Sequence, residues 1–389
     1  MPSNLCMQNY SFRSSLFFVF ILVSASCSVI KKATQPTANI SSIKYLGKYD
    51  IPYNLIYNNT AVGGLSGIDY DAKNNLYYMI CDDRSDKSPA RFYTAKIFLT
   101  QSGIDSVVFT GVKNLLQPNG TVYPNSRQDR YHVPDPEAMR YNPLTKTLTW
   151  SSEGERIVNE KEKILEDPAV IVISREGNYI DSFAMPDNLR MQAAEKGPRK
   201  NGVLEGMTFA DNYKTLFVSA EEPLYEDGPR ADVMENKPMI RFYQFDMATK
   251  KNVAQFAYKL EPVAYPAVPE SEFKINGIPD ILSIGGNKFL VIERSFSTGR
   301  LACTIKLFIA NLSGARDIIG ISLKDRWDYW AIQKKLLLNL DDLDIYTDNI
   351  EGMTFGPVLP NGHKTLLLIA DNNFNALQKS QVLLFEVIE

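Results

Sequence analysis

The chain has 389 residues, a formal net charge of −3, 44% hydrophobic and 22% charged residues, and two histidines. That balance belongs to an ordinary globular protein, and the slightly negative charge argues against nucleic acid as a partner. Length allows one large all-β domain or two smaller ones.

The N-terminus carries a short apolar run, Leu16 to Val23, preceded over residues 1–13 by one fixed side-chain charge, Arg13. The run is too short for a stable bilayer span and reads as a signal-peptide core. It ends in Ser24-Ala25-Ser26-Cys27, which resembles a bacterial lipobox with Cys27 as the acylated residue, although Val23 stands where Leu is preferred. Residues 1–27 are thus expected to be a lipoprotein signal peptide and 28–42 a polar tether. The expected product is exported and held to the envelope membrane by its lipid, with the outer membrane preferred because Ser28 supplies no retention acid. A plain signal peptide with a chance cysteine is the alternative. The folded part is expected at 43–389. Cys81 and Cys303 fall in different repeats, so small buried side chains are expected rather than a disulfide.

A unit recurs at steps of roughly 70 residues, the mark of a repeat architecture. Its first strands are Gly64 to Tyr70, Asp135 to Tyr141, Leu204 to Phe209, a weaker Gly277 to Ile284, and Ile350 to Phe355. The polar residue near each start is Ser66, Glu137, Glu205, Asp280 or Glu351. A hairpin loop and a second apolar strand follow, each ending in a carboxylate: Asp82, Glu153, Glu221, Glu293 and Asp371. Third strands are expected at Arg91–Leu99, Ala169–Ser174, Met239–Asp246, Thr304–Asn311 and Gln381–Val387. Fourth strands are expected at Ser106–Val112, Tyr179–Ala184, Ala254–Leu260 and Leu336–Leu340. Their Val, Ile, Phe and Tyr content, bounded by Gly, Asn and Asp, carries the reading.

The fold class expected is therefore all-β: a single propeller of five four-stranded blades, or six if Arg316–Gln333 hides another. The last unit ends before its fourth strand. Ile43 to Tyr49 is the strand expected to complete it, joining the chain ends and removing exposed edges.

Strand direction then predicts a location. The start of strand one and the end of strand two share a face, so about nine acids converge on one mouth of the channel. The long loops lie on that face, where binding sites usually form. Crowded carboxylates repel, so either bases pair with them or a hard cation binds. Arg84, Arg156 and Arg294 follow the strand-two acids, and Ca2+ suits loop-borne Asp and Glu. An acid at each strand start can instead simply cap its blade. Arg130 and His132 lie in a long loop of the same face, while His363 lies in a hairpin opposite. No P-loop, Rossmann glycine pattern or nucleophile elbow is present.

The G-x-[SE]-G-[IM] units with Asp82-Asp83-Arg84, Glu153-Gly154-Glu155-Arg156 and Ile292-Glu293-Arg294 resemble the phytase-like propeller family, described as esterase-like, across about residues 60–389. The resemblance implies an exported propeller with phosphoester or ester hydrolase activity on a small molecule. On that reading Glu137, Glu205 and Glu351 act as bases or ligands, and Arg84, Arg156 and Arg294 hold phosphate with His132 nearby. Asp82, Glu153, Glu221, Asp280, Glu293 and Asp371 would surround the metal. The other reading is a non-catalytic propeller of the cell envelope that binds a ligand at the same mouth; on either reading a monomer is expected.

Overall fold

Five antiparallel sheets of four strands form the protein in a computed structural model that describes residues 1–2, 38–100, 103–324 and 330–389. Most of the expected leader, Cys27 and most of the expected tether lie outside the described residues. From channel to rim, blade I runs Leu65–Asp71, Leu76–Cys81, Arg91–Thr100 and Gly103–Asn114. Blade II runs Pro136–Asn142, Thr147–Ser152, Ala169–Ser174 and Tyr179–Ser182, with an inserted hairpin of Glu155–Val158 and Lys163–Glu166. Blade III runs Leu204–Ala210, Thr215–Ala220, Met239–Asp246 and Asn252–Lys259.

In blade IV the inner strand is broken into Lys274–Gly277 and Ile281–Gly285. Beside them lie Lys288–Ser297, Thr304–Asn311 and Gln333–Asn339. Blade V comprises Asn349–Phe355, Thr365–Asp371 and Ser380–Ile388, and Ser42–Ile51 pairs antiparallel with the last of these. The expected closure by the N-terminal strand therefore forms, covering the edge of Ser380–Ile388 and making Ser42–Ile51 the outer strand of blade V.

The sixth-blade alternative fails. Among the described residues 316–332 form no sheet. This stretch instead lies along the outer strand of blade III, where Ile318 N and Ile332 N donate to Gln255 O and Ala257 O. Ile318, Leu323 and Ala331 bury apolar surface there against Met239 and Ala257.

One apolar cluster fills each of the five blade junctions. The middle strands face a neighbour on both sides, so they read as continuous apolar runs rather than alternating ones. In Thr365–Asp371, Leu366 and Leu368 pack toward blade IV while Leu367 and Ile369 pack toward blade I. Each buried side chain of this kind stabilises the ring by about 1.5–3 kcal/mol.

The inner strands approach one another through small residues. A Cβ on Gly352 would lie 2.9 Å from the Ser66 carbonyl oxygen, and one on Gly67 would lie 3.0 Å from that of Glu137. The glycine after the polar residue is thus demanded by blade-to-blade contact.

Candidate functional site

The inner strands of blades I, II, III and V share an irregularity at one place. Register slips between Leu65 and Gly67, Pro136 and Met139, Leu204 and Gly206, and Ile350 and Gly352. Those slips enclose Ser66, Glu137, Glu205 and Glu351. A bulge re-aims the side chain it holds, and here it turns the polar residue toward the channel mouth. Glu137, Glu205 and Glu351 line a cavity of about 530 Å³, together with Asp82, Asp135, Glu153 and Glu221. The gathering of strand-one and strand-two acids is therefore present for these blades.

Two bases enter the ring. Arg294 Nη1 donates to Glu351 Oε1 at 2.5 Å and Nη2 to Glu221 Oε1 at 2.7 Å, with Glu205 at 3.8 Å. Arg84 Nη1 lies 2.6 Å from Glu155 and 3.4 Å from Asp135. Arg84 reaches inward because Asp83, on the alternate side, is tied to Arg91 at 2.6 Å and accepts the N–H groups of Asp86, Lys87 and Ser88. Lys200 sits at the rim, 3.9 Å from Glu155.

Away from Arg294 the charge is not balanced. Asp82, Asp135 and Glu137 each offer an oxygen, all within 4.8 Å of one another. Burial and then the neighbouring acids push Asp82 and Glu137 well above the usual carboxylate range, and push Asp135 up to about 6 despite Arg84. Burial, then Asp135, raises Glu153 to about 8 even though it accepts the N–H groups of Gly202 and Val203. That Glu153 contact is the blade-capping role. Glu205 is also raised well above its ordinary value, by burial first and Glu221 second. Next to the ring, both Asp371 oxygens and Glu351 Oε2 are buried without a side-chain partner among the described residues.

A second cavity of about 390 Å³ opens beside the first and shares Asp82, Arg84 and Asn373 with it. Lys87, Arg130 and Ser126 line it. On the far side of the central cavity Phe273, Ile275, Phe296 and Leu301 make an apolar wall.

Four expected site residues lie elsewhere. Asp280 sits in the break of the blade IV strand and takes both oxygens to Arg140 Nη2 at 2.6 Å, below the mouth. Glu293 turns away because Arg294 takes the channel side, and side chains alternate along a strand. Glu293 bonds instead to the Tyr258 hydroxyl, Lys334 and Asn276. Arg156 donates to the carbonyls of Gln192, Ala193 and Ala194 over the Tyr225 ring. His132 is exposed and pairs with Asp129 at 2.9 Å. Arg130, its loop neighbour, does reach the side cavity while bonding Glu162. Sequence reading missed Asp135 and Lys200 as wall residues. Asp135 was legible as the residue before Pro136, two residues ahead of the repeated acid.

The match that decides the family covers residues 60–374, against the phytase-like family described as "Esterase-like activity of phytase". The chain belongs to the phytase-like family. No curated protein matches it. Among solved structures, an α-L-arabinofuranosidase from Lactobacillus brevis is 9% identical with a TM-score of 0.43, covering 87% of this chain and 92% of that one. A GH43_12 protein from a capybara gut metagenome is 11% identical with a TM-score of 0.42, covering 87% of this chain. The chain spans 53% of that protein's length. XC5397 from Xanthomonas campestris, described as a gluconolactonase, is 7% identical with a TM-score of 0.32, covering 92% and 99%. Likeness at this level carries no functional argument. The blade count rests on this chain's own strand pairing.

Proposed function

We propose that this phytase-like propeller hydrolyses a small phosphoester or ester at its acidic mouth, with Ca2+ held by Asp82, Asp135 and Glu137. The observation that carries the reading is the convergence of those three oxygens within 4.8 Å beside cavities lined by Arg84, Lys200, Lys87 and Arg130. Hard oxygen donors that crowd three to a single arginine, Arg84, suit calcium. A bound calcium supplies charge neutralisation for phosphate and lowers the pKa of water. The chain's own part is to orient and exclude. Arg84 is a forked donor matched to phosphate oxygens. The wall of Phe273, Phe296 and Leu301 accommodates an apolar leaving group. Glu153, pushed up to about 8 by burial, is poised to give a proton to a leaving oxygen.

The Leu16–Val23 run and Cys27 support export and lipid attachment to the envelope, with the outer membrane as the favoured site. Labelled palmitate should enter the wild-type chain and not Cys27→Ser.

The test of function is phosphate or p-nitrophenol release from simple esters, with calcium and with chelator. Turnover that needs calcium and falls at least 100-fold in Glu137→Gln supports the reading. Absence of turnover with every divalent metal tried defeats it. A non-catalytic binding propeller is the second reading, favoured by Arg294, which by itself engages Glu205, Glu221 and Glu351. It predicts calcium binding with no turnover.

A further inference from the structure

Three residues beyond the repeated acid, each inner strand carries another polar side chain: Asp69, Arg140, Thr208, Ser283 and Thr354. All five line one cavity of about 360 Å³ at the opposite mouth of the channel. This cavity is not continuous with the acidic mouth. Between them Arg140 and Asp280 form a plug, with Arg140 also donating to the carbonyls of Ile68 and Met207.

The lower cavity has a different chemistry. Aromatic rings wall it: Tyr70, Tyr141, Phe209, Tyr213 and Phe355. Pockets of about 300–1,000 Å³ with apolar walls and a few convergent polar groups are the usual small-molecule sites. Among the described residues Asp69 makes no ion pair at contact distance; of the other charged residues lining the cavity, Asp71 accepts the N–H groups of its own turn, Lys364 pairs with Glu389, and Lys73 lies at the rim. Its oxygens accept from Tyr141 N at 2.7 Å and Thr354 Oγ1 at 3.0 Å, which leaves acceptor capacity on both. Arg140, its charged neighbour, is committed to Asp280.

Tyr213 gives a second, independent sign. Asp211, Asn212 and Tyr213 have φ of 50°, 52° and 64°, three consecutive left-handed residues without a glycine. Such conformations are unfavourable for residues with a Cβ and persist only where the surroundings over-determine them. Here the turn lays Tyr213 against Phe209, ring centroids 5.5 Å apart, at the cavity wall. A short hairpin needed no such turn for closure alone, since Asn142–Thr147 closes the blade II hairpin with only Lys146 left-handed.

We infer that the mouth opposite the acidic ring is a second binding site, for a small amine bearing an aromatic or apolar ring. The ring stacks among Tyr70, Phe209 and Tyr213, and the ammonium meets Asp69, as carboxylate and aromatic faces together favour an organic cation. The site is independent of hydrolysis at the other mouth.

The test is calorimetric titration of the full folded domain with phenethylamine, in chelator, beside its uncharged analogue 2-phenylethanol. The expected result is saturable amine binding, at least tenfold weaker for the alcohol and at least tenfold weaker in Asp69→Asn. Val358→Trp, at an exposed rim position lining the cavity, should also block it and leaves the core untouched. If Asp69→Asn does not fold, Val358→Trp decides. Lack of saturable binding, or binding unchanged in the variants, overturns the inference. So does binding lost in Glu137→Gln but kept in Asp69→Asn, which would place the amine at the acidic mouth.

Discussion

Arg140 and Asp280 meet inside the channel with nearly every donor and acceptor engaged, whereas the carboxylates one layer nearer the mouth outnumber the bases beside them. In the plug, Asp280 takes Arg140 on both oxygens and also accepts N–H groups from Ile281, Met207 and Met353. Arg140 donates to carbonyls of blades I, III and IV. Blade II supplies the arginine, so one ion pair touches all five blades. Asp280 is pushed up to about 6 by burial, held there against further rise by Arg140, and is ionised at neutral pH. Asp82, Glu137 and Glu205 sit well above the usual range, because burial raises them and neighbouring acids add to the rise. Buried charge that is saturated with partners holds the ring together. Buried charge left unsaturated must take up protons or a cation.

Breaking the plug should have the largest effect. Asp280→Ala leaves Arg140 buried and unpaired, and such losses cost about 3–5 kcal/mol. Urea unfolding should show a midpoint lowered accordingly, and calcium should not restore it. Arg294→Met comes next. It removes the counter-charge shared by Glu205, Glu221 and Glu351, and a loss of about 2–3 kcal/mol at pH 8 is expected, smaller at pH 5, where Glu351, raised by burial, takes up a proton more readily. An Arg294→Met chain as stable at pH 8 as at pH 5 would break the contrast.

Without metal, the mouth sets an unusual slope with pH. Asp135 near 6 and Glu153 near 8 are raised above their unfolded values. The folded state therefore binds more protons than the unfolded one above about pH 4, and stability falls as pH rises through 6 and then 8. The stability from these two groups is fully present only below their unfolded pKa values. Thermal melts in chelator should show a Tm that declines from pH 5 to pH 8.5, and Glu153→Gln should flatten the upper part of that decline. Lys200→Ala should have the smallest effect on stability, under about 1 kcal/mol, since the residue is exposed. It should nonetheless weaken inhibition by inorganic phosphate several-fold.

The repeated units made most of the fold legible. Glycine spacing and acid-ended apolar runs marked the blades, and the missing fourth strand after Gln381–Val387 pointed to the N-terminal strand. The mouth was legible wherever the inner strand carries the bulge, at Glu137, Glu205 and Glu351. Blade IV broke the pattern. Its inner strand is interrupted around Ile278-Pro279, where proline cannot donate to the ladder, so Asp280 drops to the plug and Arg294 takes the channel side in place of Glu293. Arg156 and His132 were misplaced for a different reason. Both lie outside the four blade strands, in blade II's inserted hairpin and in a long loop, where repeat position no longer sets side-chain direction. The plug and the lower cavity went unseen because Arg140's partner lies two blades away, a juxtaposition that only ring closure creates.

The most direct measurement is calorimetric titration of calcium into chelator-stripped protein at pH 8 and pH 5.5, for wild type and Glu137→Gln. The unsaturated-mouth account predicts one saturable site in the wild type, at least tenfold weaker at pH 5.5, where protons compete. It predicts at least tenfold weakening in Glu137→Gln, whose metal-free form melts no lower than the wild type at pH 8. Calcium affinity independent of both pH and Glu137, or no binding at all, would contradict it.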